Sequence, residues 1–142
     1  MSMAELYIDA TNHIAGRLAS SIVKELLRGN RVFVVNAEKA VISGNPKFVV
    51  KSYLEKIQRG DPYHGPFYPK SPERILRRIV RGMIAYKKPR GREAFKRLRV
   101  FMSVPEDLKG KEFVKIKCAE CRPGLKSIKI SEISKRVGAK IA

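Results

Sequence analysis

The 142-residue sequence has few acidic side chains, 13 Asp and Glu against 31 Lys and Arg, and therefore a formal net charge of +18. It has no tryptophan and two cysteines, which are too few for the disulfide framework of a small secreted domain. No apolar run reaches the roughly 18 residues of a membrane-spanning helix, and the amino terminus does not have the pattern of a signal peptide. These absences favour an intracellular protein without a membrane partner. The excess of positive charge favours a polyanionic partner, most simply a nucleic acid.

The motifs of nucleotide-binding and catalytic sites are also missing. Neither G-x-x-x-x-G-K-[ST] nor G-x-G-x-x-G follows the first predicted strand, and no Ser/His/Asp or Cys/His set is recognisable. Cys118 and Cys121 form a C-x-x-C without a second pair, which favours a reduced pair or a local structural role and leaves zinc and a disulfide as alternatives. His13 precedes an apolar helix and could cap it, hold a backbone carbonyl or contact a phosphate. The motifs therefore give no support for a catalytic site or for a bound nucleotide.

Hydrophobic spacing predicts an α/β domain with a mainly parallel sheet, in the order β-α-β-β-α-α-β. Strands are predicted at residues 6–8, 31–36, 40–42, 100–102, 114–118 and 125–130. The continuous apolar run within residues 31–36 predicts a strand that is buried on both faces. Helices are predicted over residues 14–27, 46–58 and 91–98, and after the caps Ser71 and Ser131. The first two helices have predicted caps at Thr11 or Asn12 and at Asn45.

More than half of the charge excess lies in the middle of the chain. Residues 58–99 carry 13 basic and three acidic side chains, whereas residues 1–57 carry eight and five. Because blocks of like charge repel one another unless a partner neutralises them, this unevenness favours a binding surface over a general solubilising coat.

The segment 74–99 predicts how that surface is built. Its apolar residues form one stripe of a helix: Ile75, Leu76, Ile79, Val80, Met83 and Ile84. Arg74, Arg78 and Arg81 fall on the opposite side, with Arg77 on its edge. Arginine binds phosphates in a bidentate manner, so this face suits a nucleic-acid backbone. Tyr86 and Phe95 lie among the basic residues that follow and could stack on bases or pack in the core.

Two other functional classes stay open at this point. A nucleotide-binding α/β protein would use the carboxyl edge of the sheet, around Asp9, Asn12 and Asn36. A DNA-binding regulator would also explain the charge, but a proline-rich loop of about a dozen residues separates the helices that a helix-turn-helix motif would join. A membrane-surface helix is disfavoured because the apolar stripe is needed in the core and tryptophan is absent.

Three stretches of the chain resemble the universal L-thirteen family of the large ribosomal subunit. The first runs from Asp9-Ala10 through Ala15-Gly16-Arg17-Leu18-Ala19-Ser20. The second is Val34-Val35-Asn36-Ala37-Glu38 with Ile42-Ser43-Gly44-Asn45. The third is Val80-Arg81-Gly82-Met83-Ile84, followed by Gly91-Arg92 and Leu98-Arg99-Val100. The segment 62–72 and the longer tail are similar to the archaeal and eukaryotic branch of that family.

The resemblance implies a three-layer α/β/α fold with a four-stranded, mainly parallel sheet and a basic helical and loop extension. It implies a single domain over residues 1–142, with a core at about 6–103 and a carboxyl-terminal extension at about 104–142. It also implies a structural, non-enzymatic role in the cytoplasmic ribosome, with no catalytic residue, no metal, no cofactor and no small-molecule substrate. The expected partners are large-subunit ribosomal RNA and neighbouring large-subunit proteins, and the expected function includes support of subunit assembly.

Combined with the charge pattern, the resemblance predicts which side chains contact RNA. The proline-rich loop 60–71 is expected to thread between RNA helices. The predicted RNA-binding residues are Arg17, Lys39, Lys47, Arg59, Tyr63, His64, Lys70, Arg74, Arg77, Arg78, Arg81, Lys87, Lys88, Arg90, Arg92, Lys96, Arg97 and Arg99.

Overall fold

Apolar side chains at i, i+3 and i+4 spacing fold the segments between the strands into amphipathic helices, as the sequence predicts. The computed structural model describes residues 3–139. Its strands and helices in chain order are β1 (Glu5–Asp9), α1 (Ala15–Leu27), β2 (Arg31–Val35), β3 (Val41–Ser43), α2 (Pro46–Gln58), α3 (Pro72–Met83), α4 (Pro89–Lys96), β4 (Leu98–Val100), β5 (Ser127–Lys129) and α5 (Ile130–Arg136). Short 3-10 turns lie at Ala37–Lys39, Glu106–Leu108 and Lys117–Ala119.

The parallel sheet has three strands in the order β1-β2-β4. β3 lies outside it and pairs with β5 in an antiparallel arrangement, in which Ile42 faces Ile128. On the free edge of β1, Val114 makes a single parallel bridge to Ile8. The mixed α/β class is confirmed, but the described residues form a three-stranded sheet and a separate pair in place of one four-stranded sheet.

The two faces of this sheet differ in what they contact. The strand register places Leu6, Val32 and Leu98 in one row, and the last two are fully buried. The next row along the strands, Tyr7, Phe33 and Arg99, lies on the opposite face, because successive side chains of a strand alternate. Arg99 is exposed and the two aromatic residues are half-buried. The prediction that β2 is buried on both faces is therefore wrong along this row.

Helix ends follow local chemistry in some places and tertiary contacts in others. Asn45 caps α2 as predicted, since its side chain accepts a hydrogen bond from the Lys47 amide at 3.1 Å. The predicted cap of α1 is wrong: Ile14 occupies that position, and the Thr11 hydroxyl donates to Asp9 instead. The predicted cap at Ser131 is also wrong, because α5 begins one residue earlier, directly after β5.

The carboxyl-terminal part of the chain contributes to the same hydrophobic core as the sheet. Ala119, Ile128 and Ile133 are buried in one cluster with Ile8 and Leu18. The predicted strand at 114–118 is wrong beyond its single bridge, since the chain turns into a 3-10 helix from residue 117. Helix α5 packs against both α2 and α3, so the last described residues help to hold the helix that carries the arginines.

Candidate nucleic-acid interface

Helix α3 separates its apolar and basic side chains as the sequence predicts. Ile75, Leu76 and Val80 are buried against the core. On the other side Arg74 is exposed, whereas Arg77, Arg78 and Arg81 are half-buried. The helix is therefore held by one face, and the guanidinium groups lie on a surface that the core does not use.

Each of the three half-buried arginines lies over an aromatic ring. The Cζ atom of Arg77 is 4.6 Å from the ring centre of Phe95, and that of Arg81 is 4.3 Å from the ring centre of Tyr86. The two rings contact each other edge to face at 5.7 Å. A guanidinium over a ring face is attracted by the ring quadrupole, by about 0.5–2 kcal/mol depending on exposure. These contacts hold the arginines in defined positions before any ligand binds.

The third pair connects the helix to the proline-rich loop. The Cζ atom of Arg78 is 4.8 Å from the ring centre of Tyr68. Lys56 of α2 lies over the same ring at 5.6 Å and over Tyr53 at 5.0 Å. Burial, and the neighbouring Tyr68, raise the pKa of Tyr53, so this phenol stays neutral in the physiological range. Lys56 and Tyr68 are not among the predicted residues, although the spacing of Tyr53 and Lys56 on one helix face is a usable signal.

An open cavity of about 390 Å³ lies along this face of α3. Its lining consists of the arginines together with ring-bearing residues of the loop and of α4: Phe67, Tyr68, Pro69, Arg74, Arg77, Arg78, Arg81, Tyr86 and Phe95. Within residues 3–139 the ion pairs are Arg28–Glu25 and His64–Asp61, so none of the arginines that line the cavity is paired with a carboxylate there. The cavity therefore presents uncompensated positive charge beside exposed apolar surface.

The connection from α3 to α4 depends on a close backbone approach. A side chain at Gly91 would overlap the carbonyl group of Ala85, which is why this position accepts only glycine without a shift. Arg92 donates from Nε to the carbonyl oxygen of Tyr86 at 3.2 Å and so braces the same turn. This packing presents Lys87 and Lys88, both exposed, next to the arginine face.

The proline-rich loop folds on itself at its amino end and is anchored to α5 at its carboxyl end. The Asp61 carboxylate accepts hydrogen bonds from the backbone amides of Tyr63 and His64 at 2.8 and 2.6 Å, and the His64 ring lies 3.1 Å away. The backbone and ring bonds from His64, together with the Tyr63 amide, hold the pKa of Asp61 below its ordinary value. At the other end the Ser134 hydroxyl of α5 donates to the Lys70 carbonyl. Tyr63 is 89% exposed and projects from this anchored loop.

The other predicted RNA-binding residues do not all lie at this surface. Arg17, Lys39 and Lys47 are exposed but belong to α1, to the 3-10 turn after β2 and to α2, and none of them lines the cavity on α3. Arg97 has a structural contact, since its Nη2 donates to the Leu26 carbonyl at the end of α1 at 2.6 Å. The remaining predicted residues are exposed: Arg59, His64, Lys70, Arg90, Arg92, Lys96 and Arg99.

The carboxyl edge of the sheet is occupied by the chain itself. The Asp9 carboxylate accepts from the Thr11 amide and hydroxyl at 3.0 and 2.6 Å and from the Asn36 side chain at 3.1 Å. Burial raises the pKa of Asp9, but these hydrogen bonds and the charge of Lys115 outweigh it and leave the pKa below its ordinary value. The backbone of Asn12 in turn accepts from the Cys121 amide. The Asp9 side chain is therefore bonded to Asn36 and to Thr11, and the Asn12 carbonyl holds the carboxyl-terminal segment.

His13 is the polar side chain that fastens this segment, and it is fully buried. Its Nδ1 lies 2.9 Å from the Thr11 carbonyl oxygen, and its Nε2 lies 3.0 Å from the Ile116 amide nitrogen. A neutral ring protonated on Nδ1 satisfies both contacts, because the amide can only donate and the carbonyl can only accept. Of the three roles considered for His13, the structure shows the one that holds the backbone.

Cys118 is exposed and Cys121 is half-buried, and within residues 3–139 no disulfide joins them. Across residues 3–139, His, Cys, Asp and Glu side chains nowhere come together in threes as a metal site requires. The described helices are all too short or too polar to cross a membrane.

Comparison with known proteins agrees with the motifs that carry the resemblance. The family model described as Ribosomal protein L13 matches residues 4–107. The large ribosomal subunit protein uL13 of Archaeoglobus fulgidus is 52% identical over 134 residues, covering 92% of this chain and 86% of that protein. Those of Methanosarcina barkeri and Methanocaldococcus jannaschii are 46% and 42% identical, each covering 94% of this chain and 97% of its relative. By sequence, motif and coverage, the chain belongs to the ribosomal protein L13 family.

Proposed function

We propose that this protein is a structural component of the large ribosomal subunit in the cytoplasm and that it binds ribosomal RNA through the arginine face of α3. The names of its relatives support the assignment to this particle, and the geometry of the α3 face supports this mode of binding. The observation that carries the proposal is the set of three arginines held over aromatic rings beside an open cavity, without carboxylate partners among the described residues. This role requires shape and charge, and it requires no catalytic step.

The arrangement of the arginines favours folded RNA over a flexible polyanion. Half-buried guanidinium groups lose less rotamer freedom on binding than free side chains do, so the phosphates they contact must already lie at matching positions. We expect phosphate contacts from Arg74, Arg77, Arg78 and Arg81 and, elsewhere in the basic segment 74–99, from Lys87, Lys88, Arg90, Arg92, Arg97 and Arg99. Tyr63, His64 and Lys70 would enter the RNA with the anchored loop, while Arg17, Lys39, Lys47 and Arg59 would contact RNA outside the α3 cavity.

We further propose a three-layer α/β/α fold, with a fourth strand beside β1, in a single domain that has a carboxyl-terminal extension. Support for a fourth strand comes from Val114, which exchanges two backbone hydrogen bonds with β1, at 3.2 Å to Asp9 and 2.9 Å to Tyr7. Support for a third layer comes from Phe113, whose ring contacts Tyr7 on the face opposite the core helices. Support for a single domain with a carboxyl-terminal extension comes from the one core cluster that both parts share.

Binding to a transcript of large-subunit ribosomal RNA tests the proposal. The variants are the double substitution Arg74→Gln with Arg78→Gln and, as a matched control, Arg28→Gln on α1, whose guanidinium is already paired with Glu25. We expect the double variant to weaken binding by about 2 kcal/mol or more and to lower the slope of log affinity against log salt by about two, one for each lost phosphate contact. The control should retain parental affinity.

The salt dependence provides the decisive comparison. The affinity of the parental protein should fall steeply between about 50 and 300 mM salt because bound phosphates release counterions. An affinity that hardly changes over this range would contradict the phosphate-contact mechanism. Sedimentation of the tagged protein through a sucrose gradient after a high-salt wash tests whether it belongs to the large subunit. We expect it to sediment with large subunits, and protein that stays at the top of the gradient would refute that assignment.

A further inference from the structure

The outer face of the parallel sheet has a second group of aromatic and basic side chains. Tyr7, Phe33 and Arg99 are register neighbours on β1, β2 and β4 and share this face, away from the core. Arg31 precedes Phe33 by two residues on β2 and therefore projects from the same face. Neither Phe33 nor Arg31 belongs to the α3 cavity, so this is a separate surface.

The aromatic residues of this face are already stacked. The rings of Tyr7 and Phe33 lie 5.1 Å apart with an angle of 15° between their planes. Phe113 contacts Tyr7 edge to face at 6.3 Å, and Lys111 lies over the Tyr7 ring at 5.7 Å. Tyr7 thus covers one face of the Phe33 ring, and the stack is open on the side toward β4.

A cavity of about 350 Å³ lies at that open end. Phe33 lines it together with Arg31, Lys96, Arg97 and Arg99, so four of its five lining residues are cationic. Its volume is within the range of about 300–1,000 Å³ that ligand sites occupy. Over the described part of the chain none of these cations is paired with a carboxylate, and the buried Nε of Arg97 has no hydrogen-bond partner.

We propose that this cavity binds one unpaired nucleotide of RNA, with the base stacked on Phe33 and the phosphate held by Arg31 and Arg99. The inference rests on the proposed function for the nature of the partner and adds a second contact with a different chemistry. Unstacked bases are recognised by aromatic rings, and forked guanidinium groups bind phosphate. A double helix hides its bases in the stack and could not offer one to Phe33, so the ligand is single-stranded or bulged RNA. Four cations around one ring disfavour an apolar protein partner.

Fluorescence of a single-stranded RNA of about ten nucleotides, with 2-aminopurine at its centre, tests the proposal on the full chain. Stacking quenches this base, so the parental protein should bind the RNA and quench it. Phe33→Leu removes the platform and should weaken binding about tenfold and abolish the quenching. Phe33→Tyr keeps a ring and should retain both. Phe48→Leu on α2, whose ring is 71% exposed, is the matched control and should match the parental protein.

Arg99→Gln provides a second test in case the Phe33→Leu variant does not fold, because Arg99 is exposed and lies outside the core. It should weaken binding severalfold while the quenched state persists. If both Phe33→Leu and Arg99→Gln bound the RNA and quenched its fluorescence as the parental protein does, the inference would be overturned. The proposed function would still stand if the α3 double variant lost affinity for ribosomal RNA. Failure of the parental protein to bind ribosomal RNA would overturn both. A photo-crosslinker at position 33 that joins to a protein, and not to RNA, in assembled subunits would also overturn this inference.

Discussion

Replacement of His13 should loosen the carboxyl-terminal segment in a way that depends on which hydrogen bond is kept. The buried ring joins the Thr11 carbonyl to the Ile116 amide, residues that are far apart in the chain. His13→Gln can place an acceptor near Nε2 and retain the bond from Ile116. His13→Asn can place a donor near Nδ1 and retain the bond to Thr11. His13→Ala removes both bonds and leaves a cavity.

The magnitudes follow from the number of buried polar groups left without a partner. Each orphaned backbone group costs about 1–3 kcal/mol, so His13→Gln and His13→Asn should each destabilise the fold by about that amount. His13→Ala should cost about 3–5 kcal/mol, since the lost packing of a fully buried ring adds to the two orphaned groups. Against a typical total of about 5–15 kcal/mol, the alanine variant should be close to unfolded at elevated temperature.

Urea unfolding followed by circular dichroism measures these losses at neutral pH, and hydrogen exchange at the Ile116 amide locates them. Exchange at Ile116 should accelerate in His13→Asn and stay slow in His13→Gln, although the two variants lose similar stability. Equal protection of this amide in both variants would refute the assigned ring orientation. An alanine variant within about 1 kcal/mol of the parental protein would refute the bridging role itself.

Three further outcomes are expected. Gly91→Ala should destabilise the fold by about 1–3 kcal/mol, because the added methyl group would overlap the Ala85 carbonyl. Gly82→Ala in α3 should stabilise the fold by up to about 1 kcal/mol, because the added methyl group meets no neighbouring atom. Thermal unfolding compares the two variants. Asp9→Asn should destabilise the protein at neutral pH and should have the stability of the parental protein in strong acid. The pKa of Asp9 is below its ordinary value in the folded state, so the ionised carboxylate stabilises the fold above the ordinary pKa, and this stabilisation is lost as the pH falls through the lowered pKa. Urea unfolding at several pH values measures the difference. Arg97→Met should lower stability by about 1.5–3 kcal/mol by removing the charged hydrogen bond at the end of α1, which urea unfolding without RNA would detect.

The helices could be predicted from the sequence because their information is local. The apolar spacing and the Asn45-Pro46 start predict a helix over 46–58, and α2 occupies Pro46–Gln58. The cap of α1 could not be predicted, since Thr11 bonds to Asp9 in a turn that forms only when the end of β1 is in place. A residue that favours a cap offers the same hydroxyl to any acceptor that the fold brings near.

The strands were harder to predict because their partners are distant in sequence. Val41–Ser43 reads as a member of the parallel sheet, but it pairs with β5, more than 80 residues later. Val114 and the residues after it alternate like a strand, yet His13 bonds to Ile116 and the chain turns there. Pairing is decided by which edge is free after the core packs, and hydrophobic alternation does not contain that information.

The candidate site was predictable in its charge and not in its geometry. Counting basic residues places the surface on α3 and the connection that follows, where the arginines do lie together. The aromatic residues Tyr68, Tyr86 and Phe95 come from a loop, a turn and another helix, and only the folded chain brings each beneath an arginine. Tyr86 and Phe95 were predicted to stack on bases or to pack in the core, Tyr68 was not predicted to take part, and the support of guanidinium groups by these rings was not foreseen.

This support explains how a strongly basic protein can be selective for one RNA shape. Exposed lysines such as Lys87 and Lys88 attract any polyanion, so they add affinity that falls with salt and does not discriminate between RNA shapes. Arginines held over rings, such as Arg77 and Arg81, cannot follow a phosphate that lies elsewhere without giving up the ring contact. Binding therefore loses the free energy of these ring contacts only when the phosphates of the RNA surface lie at other positions. In the proposed mode of binding, the long-range charge brings RNA to the protein, and the aromatic rings beneath the arginines determine which folded RNA stays bound.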